Sequence, residues 1–372
     1  MTINNLYKGF EVELFTGTHN SHVGVSDAIE QTFSDFVKEP DKRNVEYITT
    51  PEKEYELLHE KLLTPRKNLR KWLSKRGLTI IPSSTLCFEH DIKFERSDLG
   101  NDYHQYIQDN YGTSVATSSV HINIGIENLD NLFAAIRLAR CEAALYLSLS
   151  ASSPFLNNKI TKNHSQRWVQ FPKTPREVPF FTNHYSYINW IEENIENKKM
   201  QNIRHFWSSI RPNGPQRPFI LDRLELRICD FVYDIELLLG ITAMLELRTL
   251  QLFENLKSMD PLTSSTFSID ELAEICDQNE LYAAKYSLNS ELTHWKDGKK
   301  VICREWIQQL LSDLSQIAEK YNMKDRLKPI RKVIEEGNQS MKWINLYEKG
   351  LSVEKIMNIS INDMRKSEEE GI

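Results

Sequence analysis

The chain has 372 residues, 40% of them hydrophobic and 26% charged, enough to bury a sizeable core and far from the composition of a disordered chain. A balance of 46 Lys and Arg against 52 Asp and Glu gives a net charge of −6, which excludes a global basic field for nucleic acid or an anionic membrane and leaves any anionic substrate to local charges. Five scattered cysteines without a Cys-x-x-Cys pair argue against a zinc site and a disulfide framework, so a reducing, cytoplasmic setting is expected.

Residues 1–15 run directly into a charged strand and lack the apolar stretch of a signal peptide. In Gly9-Phe-Glu-Val-Glu-Leu-Phe15, alternation puts Phe10, Val12 and Leu14 on one side and Glu11 and Glu13 on the other. Alone, that pair is equally the solvated face of a half-buried antiparallel strand. Residues 44–51 add Glu46 just ahead of a helix predicted over residues 51–75, where Leu57, Leu58, Leu62, Leu63, Leu69 and Trp72 keep roughly helical spacing. Pro65 is the place for a kink or a break in it. Residues 91–112, polar and carrying Gly100 and Asn101, are a candidate covering loop.

Ser119-Val-His-Ile-Asn-Ile-Gly-Ile126 repeats the strand pattern, with His121, Asn123 and Gly125 opposite Val120, Ile122, Ile124 and Ile126. The glycine leaves room for a ligand near the backbone, although a strand histidine is just as commonly structural. Residues 132–149 read as one amphipathic core helix. Its Arg137, Arg140 and Glu142, like Glu236 and Glu246 in the apolar stretch 235–247, exclude a membrane span. Arg167 and Arg211 are candidate phosphate-binding arginines and equally candidates for packing or ion pairing. Arg223-Leu-Glu-Leu-Arg-Ile-Cys-Asp230 gives a third strand, with Glu225, Arg227 and Cys229 opposite Leu224, Leu226 and Ile228. From about Asp234 onward the pattern is helical, with a capping box at Ser268–Glu271, and residues 364–372 lack an apolar face and are expected to fray.

Strands and helices mix without a βαβ repeat, so the expected class is α+β. Residues 1–233 form the mixed catalytic sheet region, and residues 234–372 a mainly helical region packed on the same domain. Three strands each set chemically complementary groups against a continuous apolar face. Carboxylates with one imidazole suit Mg²⁺ or Mn²⁺, and an arginine beside them suits phosphate oxygens. Neither a Gly-x-x-x-x-Gly-Lys nor a Gly-x-Gly-x-x-Gly loop occurs, so phosphates must be held by metals and arginines on the sheet.

In this order, the segments at Gly9–Glu13, Val45–Pro51, Ser119–Gly125, Ser150–Phe155, Ser165–Arg167, Trp207–Pro212 and Leu224–Asp230 resemble the glutamate–cysteine ligase type 2 family of carboxylate–amine ligases, and within it the cyanobacterial-type branch. The resemblance implies a glutamine-synthetase-like fold, a curved antiparallel sheet with flanking helices and a helical C-terminal region, that holds ATP, Mg²⁺ or Mn²⁺, and glutamate. It implies metal binding by Glu11, Glu13, Glu46, His121 and Glu225, and catalysis by Arg227 at the phosphate together with Glu225. Arg167, Arg211 and Asn123 join Arg227 on the nucleotide and substrate side. Asn123 stands where many members carry a second histidine.

The implied activity joins the γ-carboxylate of glutamate to the amine of cysteine through a γ-glutamyl phosphate, the first step of glutathione biosynthesis. The same residues also suit a ligase for a different amine, or a guanidino phosphotransferase-like enzyme. The chemistry needs no covalent nucleophile, so Cys229 reads as a small buried residue rather than a catalytic thiol.

Overall fold

The computed structural model describes residues 5–88 and 93–371. Seven strands form its main sheet: β1 (Lys8–Gly17), β2 (Phe36–Lys38), β3 (Asn44–Ile48), β4 (Thr79–Ile81), β5 (Val120–Gly125), β6 (Ile210–Asn213) and β7 (Arg223–Leu226). They run in the order β2-β3-β1-β5-β7-β6, with β4 also on β1, and every pairing is antiparallel. The long β1 is central because its inward residues Phe10, Val12 and Leu14 are almost wholly buried and pack with Ile122, Ile124, Leu224 and Leu226 from its neighbours.

That apolar face fixes the register, and the register aligns the polar face. Glu13 lies opposite Glu46, Glu11 opposite His121, Asn123 opposite Glu225, and Arg211 opposite Glu225. A one-residue slip would send every one of these groups into the core.

The longer helices include α1 (Tyr55–Ser74), α2 (Asp102–Tyr111), α3 (Leu129–Cys141), α4 (Ala143–Ser150), α5 (His184–Glu196), α6 (Ile235–Glu254), α7 (Ile269–Tyr286) and α8 (Val353–Glu370). The larger buried apolar cluster takes in strand residues together with Leu238, Ile241 and Leu245 of α6 and Ile307, Leu327 and Ile330 beyond it. A buried ion pair also joins the two parts: Lys8 Nζ lies 3.0 Å from Glu246 on α6, and the Tyr55 hydroxyl donates to the same carboxylate at 2.7 Å.

Several expectations change. The helix predicted over residues 51–75 starts at Tyr55 and runs to Ser74 without a break at Pro65, while Leu57 faces solvent. Burial of Leu58, Leu62, Leu69 and Leu73 on both sides of the proline outweighs its missing hydrogen bond. The single helix read over residues 132–149 is two, α3 and α4, divided at Glu142 (φ −107°, ψ 3°), whose buried carboxylate pairs with Arg248. Residues 364–371 do not fray: α8 reaches Glu370, and Glu368 is buried between Arg66 and Arg70 of α1. Met364, wholly buried in the main core, and this ion pair tie the end down. Of the candidate covering loop, residues 91 and 92 lie outside the described residues, and much of the rest is α2, capped by the Asn101 side chain on the backbone N–H of Tyr103 and His104. No helix among the described residues is long and apolar enough to cross a membrane.

Candidate active site

On the polar face of the sheet, carboxylates from three strands converge on one imidazole. His121 Nδ1 lies 2.9 Å from Glu11 Oε2, and Ser119 Oγ lies 3.1 Å from His121 Nε2. The backbone N–H of Ser119 donates to Glu13 Oε2 at 2.8 Å. Two groupings bring their ligating atoms within 4.8 Å of one another: Glu11, Glu46 and His121, and Glu13, Glu39 and Glu46. Glu39 is absent from the residues read off the sequence. It follows the three-residue edge strand β2, too short to show alternation, and its one visible signal is the two-residue step from Val37, which pairs with Glu46.

Electrostatics mark this cluster as over-charged. Burial, reinforced by Glu39, Glu11 and Glu13, pushes the Glu46 carboxyl well above the ordinary carboxylate range. Burial and then Glu13 push Glu39 up to about 8. Glu11 goes the other way, since His121 and Arg227 outweigh the upward push of its burial and of Glu225. Four carboxylates crowded against one imidazole form a hard-oxygen donor set that a divalent cation would neutralise, so the residues present fit Mg²⁺ or Mn²⁺.

Next to it lies an arginine-rich wall centred on Glu225, which is fully buried. Arg211 Nε donates to Glu225 Oε2 at 2.7 Å and Arg211 Nη2 to Oε1 at 3.1 Å, Asn213 Nδ2 donates to Oε2 at 2.7 Å, and Arg227 donates to Oε1. Burial raises the Glu225 carboxyl, but Arg211, Arg227 and His121 outweigh it and hold the group well below the usual range. Glu225 Oε1 is 3.6 Å from His121, yet neither metal-capable grouping contains Glu225, whose oxygens accept from these donors instead.

Arg167 donates to the backbone carbonyls of Ile228 and Arg227 at 3.1 and 3.0 Å, and Arg211 also donates to the Phe206 carbonyl at 2.7 Å. Asn123 Nδ2 lies 3.3 Å from Glu11 Oε1, and its own oxygen accepts from Arg223 at 3.2 Å. Cys229 does not share the polar face. The strand ends at Leu226, alternation ends with it, and Cys229 is buried in the core, with its thiol pushed up to about 12 by burial.

A cleft of about 810 Å³ opens from the cluster at Glu11 and Asn123, walled by Tyr7, Gly9, Ile48 and Arg223. On another side, α2 brings Tyr103 within electrostatic reach of Arg211, Arg227 and Glu39. The helix is seated there by Tyr111, whose hydroxyl lies 2.8 Å from His205 Nε2 in a cluster of rings with Trp207.

Comparison with known proteins adds to this geometry. A profile described as "Glutamate-cysteine ligase family 2(GCS2)" matches residues 7–363. A Solibacter usitatus protein provisionally named glutamate–cysteine ligase 2 is 25% identical over 246 residues, 66% of this chain and 61% of that protein. A Sorangium cellulosum protein of the same provisional name is 22% identical over 291 residues, 77% of this chain and 74% of that one. The match thus covers less than two thirds of the Solibacter relative.

Among solved structures, a glutamate–cysteine ligase from Francisella tularensis in complex with AMP superposes with a TM-score of 0.77 at 14% identity, over 99% of this chain and 89% of that one. A bifunctional glutathione synthetase from Pasteurella multocida gives 0.74 at 14% identity, over 99% and 53%. These likenesses give the fold, the glutamine-synthetase-like arrangement of antiparallel sheet and flanking helices.

Proposed function

The chain belongs to glutamate–cysteine ligase family 2, and from that premise we propose that it joins a carboxylate to an amine at the expense of ATP, with glutamate and cysteine as substrates. The observation that carries this reading is the pairing, on one sheet face, of two metal-capable carboxylate groupings that share Glu46 with the arginine wall around Glu225. Polyphosphate chemistry needs both halves.

A carboxylate is a poor electrophile, so an oxygen of the glutamate γ-carboxylate attacks the γ-phosphorus of ATP and ADP leaves. The cysteine amine then attacks the acyl phosphate, a C–N bond forms, and phosphate departs as the amine loses a proton. Glu11, Glu46 and His121, with Glu13 and Glu39, would hold Mg²⁺ or Mn²⁺, which when bound offsets the repulsion between carboxylate and polyphosphate. Arg227 turns a guanidinium edge toward the transferred group. Arg167 fixes the backbone on which Arg227 is carried, and Arg211 and Asn213 hold Glu225 in place to orient it. Incoming phosphate competes with Glu225 for Arg227, and an oxygen of Glu225 is thereby released toward the metal side. Asn123 offers its amide to the nucleotide or substrate from the mouth of the cleft, and α2 shields the acyl phosphate from water.

The test is ADP release from ATP and Mg²⁺ with glutamate and a panel of amines, with the product identified by mass. Cysteine-stimulated release and a product of γ-glutamylcysteine mass are expected. Release stimulated only by another amine would keep the ligase chemistry and change the substrate, whereas a phosphorylated product without an amide would remove the reading.

A further inference from the structure

Asp230, fully buried just past β7, belongs to neither the carboxylate cluster nor the arginine wall. Its carboxylate is surrounded by donors. Oδ2 accepts from the Ser152 N–H at 2.9 Å and the Ser153 hydroxyl at 2.7 Å, Oδ1 accepts from the Ser165 hydroxyl at 2.8 Å, and the Arg167 guanidinium lies 3.8 Å from Oδ1. Both hydroxyls are relays. Ser153 Oγ accepts from the Arg167 N–H at 3.1 Å, and Ser165 Oγ accepts from the Trp168 N–H at 3.3 Å as the N-cap of Gln166–Gln170, the short helix that carries Arg167. Each hydroxyl has one proton, so donating it to Asp230 turns the oxygen lone pairs toward those main-chain N–H groups.

The chain of contacts closes on the segment from which it starts. Arg167, held at its backbone by the two serines, donates Nη1 to the Ile228 carbonyl at 3.1 Å and Nη2 to the Arg227 carbonyl at 3.0 Å. The N–H of Arg227 donates to the Ser209 carbonyl at 2.8 Å. The main chain is therefore pinned on both sides of the Arg227 side chain, once by Ser209 and once by Arg167. Asp230 governs the second pin. Ser152, Ser153, Ser165, Arg167 and Asp230 are all almost wholly buried, where each bond is electrostatically stronger than in water and a missing one is costly.

We propose that Asp230 is a positioning residue for Arg227: its charge, relayed through Ser153, Ser165 and Arg167, fixes the main chain from which Arg227 reaches the transferred phosphoryl group. This rests on the ligase reading above. A misplacement of about 1 Å in a group that meets the transition state costs about 100-fold in rate, so the effect falls on kcat rather than on amino-acid binding.

Asp230→Asn is a selective cut. An NH₂ in place of Oδ2 would face the Ser152 N–H, so it takes the Oδ1 side, where Ser165 loses its acceptor and Arg167 its counter-charge. At saturating ATP, Mg²⁺, glutamate and cysteine, kcat for ADP release falls about 10- to 100-fold, while KM for either amino acid stays within about twofold. The same substitution made in Arg227→Ala costs no further kcat, because the group through which Asp230 acts is gone. A carboxylate that only stabilises the fold would lower the melting temperature in both backgrounds and leave kcat below the transition unchanged, or would add its full loss to that of Arg227→Ala. Either result overturns the proposal.

Should Asp230→Asn fail to fold, Ser165→Ala cuts one link of the same ring. Its smaller fall in kcat again vanishes in Arg227→Ala, and an unchanged kcat there overturns the proposal. Failure of the ligase reading is separable: wild-type protein would release no ADP with any amino acid. Calorimetric titration with inorganic phosphate then decides. Weaker binding in Asp230→Asn than in wild type, with no such difference between Arg227→Ala and the double variant, upholds the positioning role, and equal or absent binding in wild type and Asp230→Asn ends it.

Discussion

Glu225→Gln gives the sharpest separation of chemistry from scaffolding. The substitution keeps volume but removes the one negative charge that Arg211, Asn213 and Arg227 all address. Unlike a carboxylate, the amide has one acceptor oxygen, and its NH₂ then faces a donor. Loss of one partner from a buried charge network costs about 3–5 kcal/mol. For 372 residues, an unfolding entropy of roughly 0.8 kcal/mol/K turns this into a melting loss of roughly 4–6 °C. Leu226→Ala next door removes a fully buried side chain and costs about 2–5 kcal/mol, so its melting loss is comparable.

Activity tells the two apart. In calorimetry with a parallel ADP-release assay at low temperature, Leu226→Ala retains turnover and Glu225→Gln loses it. Sulfate raises the melting temperature of Glu225→Gln more than that of the wild type, because its arginines have been freed to take an anion. Wild-type melting together with surviving turnover in Glu225→Gln would mean that the arginines do not depend on this carboxylate, and the account of the wall would be wrong.

Chelation abolishes activity and Mg²⁺ or Mn²⁺ restores it. Mn²⁺ at about 100 times its Kd also raises stability by about 2.7 kcal/mol, and Glu46→Gln, which removes the carboxylate shared by both groupings, blunts that rise in a melting assay. Glu368→Ala leaves Arg66 and Arg70 without their shared partner and costs about 3–5 kcal/mol in denaturant unfolding, where a frayed tail would give no change. Cys229→Ala retains turnover. Its thiol, raised to about 12, stays protonated throughout the neutral range, so alkylation of Cys229 by iodoacetamide waits for unfolding when followed by peptide mass.

The three strands at the site were legible because each alternates with period two over a continuous apolar face, and that face dictates the register. Once Phe10, Ile122 and Leu226 are buried together, Glu11 must meet His121 and Asn123 must meet Glu225. Glu39 was not legible, since three residues of edge strand carry no period and its approach to Glu13 depends on how β2 lies on β3. The division at Glu142 escaped for a different reason. Apolar spacing continues through it, and the break depends on Arg248, more than a hundred residues later. The anchored C-terminal end escaped in the same way, because its partners lie on α1 and the sequence around Glu368 shows only charge.

Arginines are where sequence reasoning stops, since a phosphate ligand, a packing residue and an ion-pair partner carry one and the same side chain. Accounting for donors orders Arg167, Arg211, Arg217 and Arg227. Arg167 gives two donors to main-chain carbonyls, and Arg211 divides its donors between Glu225 and the Phe206 carbonyl, so both are committed before any ligand arrives. Arg227 is held by Glu225 alone among the carboxylates it hydrogen-bonds, a bond that phosphate can exchange. Arg217 has only a 4.0 Å ion pair with Glu225, and its buried Nη1 donates no hydrogen bond. Availability to an anion therefore rises from Arg167 and Arg211 through Arg227 to Arg217. Arg211 and Asn213 keep Glu225 in place and Arg167 fixes the backbone that carries Arg227, so the fixed part of the wall preorganises the arginine that meets phosphate.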